Sequence, residues 1–327
     1  MKTPVNPAAC EEQAFDLCAP EVAAPAKINW ILRVGDRRPD GYHEVQTILQ
    51  PVDLHDILTF QRAESFLFTC SDPALAGEDN LVCRAWRLLR EEFPEKVGGV
   101  RIHLEKRIPA QAGLGGGSSD AAAALLRLDL LFALGLSREQ LARLAARLGA
   151  DVPALLYAQA TYGSGTGTQV QPVRTRLAAP LLIVKPDCAL PTAAMYRRID
   201  ARRADIAGAS QGALKTNSGT EAFRETSEAA SGLPREMNAL LRALEKDDIP
   251  ALAEHLKNDF EEVLGEEGEQ IRAAKTALLR EGACAALLSG SGSAVFGLFE
   301  NEAARDRAKT ELGKRFKVFA CRTLNRE

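Results

Sequence analysis

Between Ile108 and Asp120 the chain reads Ile-Pro-Ala-Gln-Ala-Gly-Leu-Gly-Gly-Gly-Ser-Ser-Asp, and four glycines (Gly113, Gly115, Gly116, Gly117) and two serines fall within a few positions. The flanks limit what this stretch can be. Upstream, Val100, Ile102 and Leu104 alternate with Arg101, His103 and Glu105, the period of a half-buried strand. Downstream, Ala121 to Leu134 is nearly all alanine and leucine and predicts a helix. A glycine run at this junction lies where backbone N–H groups lack partners and the helix dipole is positive. Glycine lets the backbone close on an anion without Cβ clashes. Ser118 and Ser119 can cap the helix or donate to phosphate oxygens. Two common phosphate signatures fail. The P-loop needs Gly-Lys-Ser/Thr, but Ser118-Ser119 follows Gly117, and G-x-G-x-x-G counted from Gly113 meets Ser118 at its last glycine. The stretch reads as a phosphate loop of another kind, with a flexible, serine-capped connector as the plain alternative.

The chain has 327 residues, a length that favours two domains over one. A hydrophobic share of 46% suffices for buried cores, and a net charge of −3 leaves no electrostatic footprint for nucleic acid. No apolar run approaches the length of a membrane span. Met1 to Glu21 has acidic residues (Glu11, Glu12, Asp16) and no apolar core, unlike a secretory signal or transit peptide. Seven cysteines with no C-x-x-C pair read as reduced thiols of a cytoplasmic protein. Four widely spaced histidines argue against a dedicated zinc site.

In order, residues 1–22 read as a poorly ordered arm. Ala24 to Val34 predicts a strand, with Ala26, Ile28, Trp30 and Leu32 on one face and Lys27 and Asn29 on the other. By spacing alone, Lys27 and Asn29 belong to the solvated face. Arg38-Pro-Asp-Gly41 is a turn, leading into a strand from Tyr42 to Ile48. Asp79 or Asn80 caps a helix from Leu81 to Phe93, and Ser137 with Gln140 forms a capping box before another that Gly149 ends. Asp151, before Val152-Pro153, is by default the N-cap of a short helix; the alternative is a carboxylate held rigidly toward the glycine loop. A second glycine-rich turn spans Thr161 to Thr168, and Leu181 to Val184 is a buried strand. Residues 201–235 read as a mobile surface insertion. Helices follow at Met237–Leu244, Ile249–Leu256, Glu269–Leu279 and Glu302–Leu312, with strands at Ala294–Phe299 and near Phe316–Ala320. A third glycine cluster, Leu288-Ser-Gly-Ser-Gly-Ser-Ala294, precedes the first of these strands. Strands and helices interleave in an α+β layout.

Three glycine stretches in this order resemble the motifs of the GHMP kinase superfamily. Ala24-Pro-Ala-Lys-Ile-Asn29 is similar to its first motif, Pro109 to Ser119 to its second, which wraps the ATP phosphates, and Leu288 to Ala294 to its third. Within it, Pro25 to Asn29, Arg38-Pro-Asp-Gly-Tyr-His43, Gln46-Thr47, Glu78-Asp-Asn-Leu81, Leu148-Gly-Ala-Asp-Val-Pro153 and Asn258-Asp-Phe260 resemble the kinases of 4-diphosphocytidyl-2-C-methyl-D-erythritol. The resemblance runs from about Ala24 to the C-terminus. It implies an α+β GHMP kinase two-domain fold: an N-terminal domain (23–177) like ribosomal protein S5 domain 2 and a ferredoxin-like C-terminal domain (178–327). It also implies phosphorylation of the 2-hydroxyl of the cytidyl-diphospho-methylerythritol substrate by ATP with Mg2+, a step of non-mevalonate isoprenoid biosynthesis. A weak homodimer stays open, and no partner of nucleic acid or membrane type is expected.

The resemblance assigns roles residue by residue. Lys27 and Asp151 match the catalytic pair. Pro109, Ala110, Gln111, Ala112, Gly113, Leu114, Gly115, Gly116, Gly117, Ser118 and Ser119 match the ATP loop, with Lys106 just before it. Asn29, Tyr42, His43, Tyr196, Gly290 and Ser291 match substrate positions, Tyr42 and His43 being the cytosine pair. The residues for Mg2+ are unknown. A homoserine- or mevalonate-type kinase would keep the loops and lose Tyr42-His43, and a non-catalytic nucleotide sensor on this fold would lose Lys27 or Asp151. A dinucleotide oxidoreductase fails on its fingerprint.

Overall fold

The computed structural model describes residues 21–210 and 234–325. The N-terminal arm to residue 20 and the insertion from 211 to 233 lie outside the described residues. The chain begins with two long antiparallel strands, β1 (Glu21–Arg37) and β2 (His43–Arg62), joined by the expected turn with Gly41 at φ 87°. Then come β3 (Leu67–Cys70), α1 (Leu81–Glu92), β4 (Val100–Glu105), α2 (Gly116–Phe132), α3 (Arg138–Leu148), α4 (Val152–Leu155), β5 (Thr161–Ser164) and β6 (Gln169–Pro172). These strands form a mixed sheet in the order β3-β4-β2-β1, with the β5–β6 hairpin also on β2. The hairpin is the second glycine-rich turn.

The second half contains β7 (Pro180–Lys185), α5 (Thr192–Ser210), α6 (Arg235–Glu245), α7 (Ile249–Glu254), β8 (Lys257–Asn258), α8 (Gly268–Arg280), β9 (Ala285–Leu288), β10 (Val295–Leu298), α9 (Glu302–Leu312) and β11 (Lys317–Arg322). Four of these strands make an antiparallel sheet in the order β11-β7-β10-β9. Numbered within the half, that is 4-1-3-2 in a β-α-β-β-α-β unit, the ferredoxin-like arrangement.

Local chemistry accounts for the helix starts. Asn80 Oδ1 accepts from Val82 N (2.9 Å), and Ser137 and Gln140 close the capping box. Helix α2 begins at Gly116, five residues before its alanine run, and Ala121, Ala122, Ala123 and Ala124 are wholly buried. Their small side chains let the helix lie close against α1 and the sheet.

Three expectations change. The alternation predicts a strand only to Ile48, yet β2 runs to Arg62. Polar residues interrupt the pattern there because distant segments use them: Asp53 Oδ1 accepts from Arg322 N (2.8 Å), and Asp56 Oδ1 accepts from Ile108 N (2.8 Å). Residues 201–210 are not part of a mobile insertion. They continue α5, with Arg203 donating to the carbonyls of Val34 and Gly35 and Arg202 paired with Glu262 (2.7 Å). Glu21 and Val22, expected in the arm, open β1 instead.

The two halves are laced together. β8 pairs in parallel with β1 at Ile31 and Leu32, and Leu324 N donates to Pro51 O (2.9 Å). Trp30 and Phe296, from different sheets, meet edge to face at 5.7 Å inside one apolar cluster with Ile48, Leu181 and Leu240. Among the described residues no helix is long and apolar enough to cross a membrane.

Trp30 is wholly buried at this junction. Trp30→Ala is expected to cost about 3–5 kcal/mol. Urea denaturation of the two proteins side by side measures it, and a loss under about 1 kcal/mol would mean the junction collapses around the cavity.

Candidate active site

β1 carries the first two polar groups. Its far face is not solvated as spacing suggests: Lys27 is 3% and Asn29 2% exposed. The reason is tertiary, since the Gly113–Gly117 loop and β2 from the first half and the Ser289–Gly290 loop from the second close on that face. A buried ammonium needs acceptors. Lys27 Nζ donates to Asn29 Oδ1 (2.8 Å), Asn29 Nδ2 to Thr47 Oγ1 (2.8 Å), and Thr47 Oγ1 to Ile31 O (2.7 Å). Thr47, on β2, enters the site only through this chain of bonds.

The first and third glycine loops close over Lys27. Lys27 N donates to Leu114 O (2.9 Å). Gly115, at φ 67°, leaves so little room that a Cβ would come within 2.8 Å of Lys27 Cγ, and one at Gly290 would lie 3.0 Å from Lys27 Nζ. Ser289 Oγ donates to Gly113 O (3.1 Å), and Ala294 N to Ala112 O (3.0 Å). The third loop therefore packs on the first. Asn258 fixes it from below, donating to Leu288 O (2.8 Å) and Gly290 O (2.7 Å).

Within the first loop, Ala112, Leu114 and Ser119 are buried, and Gln111 and Gly117 are exposed. Pro109, Gly113, Gly115, Gly116 and Ser118 are partly exposed, and Ala110 is open. Gly115 is the N-cap of α2 and no side chain caps the helix. Its first N–H groups are thus not consumed by a protein side chain, which suits an anion.

Asp151 precedes α4 but makes no side-chain cap bond. Its carboxylate is 3.5 Å from Lys27 Nζ and 43% exposed. One end of the lysine's environment is therefore sealed protein, and the other is a carboxylate open to the cleft.

Lys106 is held beneath the loop. Its ammonium pairs with Asp56 and with Asp120 (2.9 Å), and both carboxylates are buried. Burial opposes the ammonium, but Asp120 and Asp56 outweigh it and raise its pKa. Burial, with Asp56 nearby and Lys106 only partly offsetting, pushes the Asp120 carboxyl up to about 8. Two carboxylates share one ammonium, and Asp120 Oδ1 has no partner among the described residues. Asp56 Oδ1 also accepts from Arg107 N (2.5 Å), so this cluster ties down the turn that opens the loop. Sequence reasoning missed Asp56 and Asp120. The one local hint was Asp120 directly before the alanine run of α2; Asp56 sits among other polar residues of β2 and had no such signal.

The expected base-binding residues separate into two kinds. Tyr42 is 67% exposed on the turn. His43, one residue on, is buried, and its ring stacks on Tyr196 (4.8 Å, 23°). Tyr42 and Tyr196 make no ring contact with each other; Tyr196 instead rests edge-on against Phe260 (5.0 Å). Burial and then the Asp151 charge push the Tyr196 hydroxyl up to about 12. Ser291 Oγ lies 2.7 Å from Thr192 Oγ1 at the start of α5.

Residues 80–159 match the family described as GHMP kinases N terminal domain, and residues 240–318 match GHMP kinases C terminal. The fold and these matches define a GHMP kinase, an enzyme that phosphorylates a small alcohol at the expense of ATP. The chain is similar to the 4-diphosphocytidyl-2-C-methyl-D-erythritol kinase of Thermoanaerobacter pseudethanolicus, 34% identical over 94% of this chain and 96% of that one. The enzyme of that name from a Synechococcus strain is 38% identical over 90% and 89%. A crystal structure of 4-(cytidine 5'-diphospho)-2C-methyl-D-erythritol kinase superposes with a TM-score of 0.72 at 32% identity, over 93% and 98% of the two chains. The homoserine kinase of Cytophaga hutchinsonii shares the fold, with a TM-score of 0.68 at 17% identity over 94% and 95%. The chain belongs to the 4-diphosphocytidyl-2-C-methyl-D-erythritol kinase family.

The Asp120 shift has a consequence for stability. A carboxyl whose folded pKa is raised contributes most below its unfolded pKa, about 3.9, and that contribution fades as pH rises through the folded value. For Asp120 the window closes at about 8. Asp120→Asn keeps an acceptor for Lys106 without the second charge. Thermal melts at pH 5, 7 and 9 are expected to show a shallower loss of Tm with rising pH in the variant, and parallel curves would remove Asp120 as the cause.

Proposed function

We propose that this enzyme transfers the γ-phosphoryl group of ATP to the 2-hydroxyl of 4-diphosphocytidyl-2-C-methyl-D-erythritol, giving the 2-phosphate and ADP. The observation that carries it is the buried Lys27, 3.5 Å from the open carboxylate of Asp151 and overlain by two glycine loops. The uncapped N-terminus of α2 suits the ATP phosphates, with the Gly113–Ser118 backbone as their cradle. The acceptor name comes from the relatives, and the buried His43 beside Tyr196 supports a base-reading end to the cleft.

Phosphoryl transfer is mostly positioning and charge stabilisation. The acceptor hydroxyl oxygen bonds to phosphorus as the bond to the ADP oxygen breaks, and the hydroxyl proton must leave. Asp151 is the group placed to receive or orient that proton. Lys27 offsets charge on the moving phosphoryl group, and its bond to Asn29 keeps the ammonium aimed. Among the described residues no three His, Cys, Asp or Glu side chains group as a metal site. Mg2+ held chiefly by substrate phosphates needs no such group; the Ser118 hydroxyl and the open Asp151 carboxylate are the oxygen donors that would complete its coordination. When bound, the ion neutralises phosphate charge. Lys106, already shared by two aspartates, acts on the loop from beneath.

Asp151→Asn keeps the shape and removes the proton acceptor. Turnover is expected to fall by about 10²–10⁴-fold with ATP binding nearly intact. Single-turnover kinetics and an ATP titration check both halves, and full activity in that variant removes Asp151 from the mechanism. The acceptor is tested by coupled ADP release with the cytidyl-diphospho substrate, homoserine, mevalonate and no acceptor. Only the first is expected to support turnover, and a preference for either of the others would transfer the enzyme to a sister activity.

A further inference from the structure

Helix α5 aims three side chains at the mouth of the β1–β2 pair. Tyr196, Asp200 and Arg203 are spaced four and three apart, so they form one stripe on the helix. Arg203 grips the carbonyls of Val34 and Gly35 at the end of β1. Tyr196 stacks on the His43 ring, and Asp200 Oδ1 lies 2.7 Å from His43 Nε2. His43 is thus buried by one helical turn that supplies both a ring face and a carboxylate. No described residue bonds its Nδ1.

The carboxylate has a chemical consequence. An ionised aspartate only accepts hydrogen bonds, so the ring proton of neutral His43 belongs on Nε2. Nδ1 is then left with a lone pair and can only accept. An acceptor pairs with an amino group and is repelled by a carbonyl. Cytosine and uracil differ in that respect at ring position 4, which carries an amino group in one and a carbonyl in the other. We propose that Asp200 is a positioning residue that sets base specificity: by fixing the tautomer of His43, it makes the site accept a 4-amino pyrimidine and reject a 4-oxo one. The inference rests on the reading that His43 faces the cytosine of the substrate. Asp200 comes from the second half of the chain, so the base-reading edge on β2 is completed across the cleft.

The Asp200 side chain is 35% exposed, and its replacement leaves the core untouched. The experiment measures kcat/KM for the cytidyl substrate and its uridyl counterpart in the wild type, Asp200→Ala and Asp200→Glu. The cytidyl-to-uridyl ratio is expected to fall by about ten- to a hundredfold in Asp200→Ala, since a site that pairs with a substrate N–H rejects its partnerless analogue strongly. Asp200→Glu should recover part of the ratio, and the KM for ATP should stay constant. The ring 15N shifts of His43 should place the proton on Nε2 in the wild type and show mixed tautomers in Asp200→Ala. A ratio that stays constant in Asp200→Ala, or equal losses with both substrates, would overturn the role and reduce Asp200 to a tie between α5 and β2. A wild type that fails to prefer the cytidyl substrate would sink the cytosine reading itself, a result distinct from failure of the Asp200 step.

Discussion

An ammonium withdrawn from water is the constraint on which the rest of this structure turns. Lys27 has almost no exposed surface, so its charge must be met by protein groups or by what enters the cleft. Asn29 meets it on one side and Asp151 on the other. Each of these is held in turn, Asn29 by Thr47 and Asp151 by its place between α3 and α4. The glycines follow from the same demand. Only residues without side chains let two loops approach one lysine this closely, which is why Gly115 and Gly290 stand where they do.

The two halves of the chain are unequal contributors. The first builds the long β1–β2 pair, the phosphate-suited helix N-terminus and Asp151. The second does not simply pack beside it. β8 extends the first sheet, Asn258 holds the third loop, Asp259 Oδ2 accepts from Val34 N (2.9 Å), and Phe260 backs Tyr196. Three consecutive residues thus brace a sheet, a loop and an aromatic wall. Such bracing suits a site whose reactive groups come from segments far apart in the chain.

Beneath the phosphate-suited loop lies a second charge cluster, its two carboxylates buried and its lysine only partly exposed. Asp56, Lys106 and Asp120 join β2, the loop entrance and α2. Hydrogen bonds from Arg107 N and Ile108 N to Asp56 make it a clamp on the turn. The cost is a carboxyl, that of Asp120, whose burial, with Asp56 beside it, raises its pKa. One lysine thus lies beside the open Asp151 carboxylate, and another is engaged in holding the backbone of the loop above it.

Local rules explain what could be read from the amino-acid order alone. Helix caps at Asn80 and Ser137, the 3.6-residue period of α1 and α3 and the dense glycines at Gly113–Gly117 depend on neighbours within a turn or two. They revealed most elements and all three loops, and the ordered set of motifs pointed to the family. Nothing local, however, says what covers the other face of a strand or whether a carboxylate is taken up by a cap. Lys27 and Asn29 have the spacing of a solvated edge, Asp151 that of an N-cap, and Lys106 that of a surface lysine. Only the meeting of the first and third glycine loops over β1, with Thr47 of β2 beneath, buried the first two, and only three-dimensional packing left Asp151 uncapped toward Lys27. The same packing set Asp200 against His43, 157 residues away in sequence. Burial and pairing are properties of segments brought together by folding, so tertiary structure alone decided which polar residues became a site.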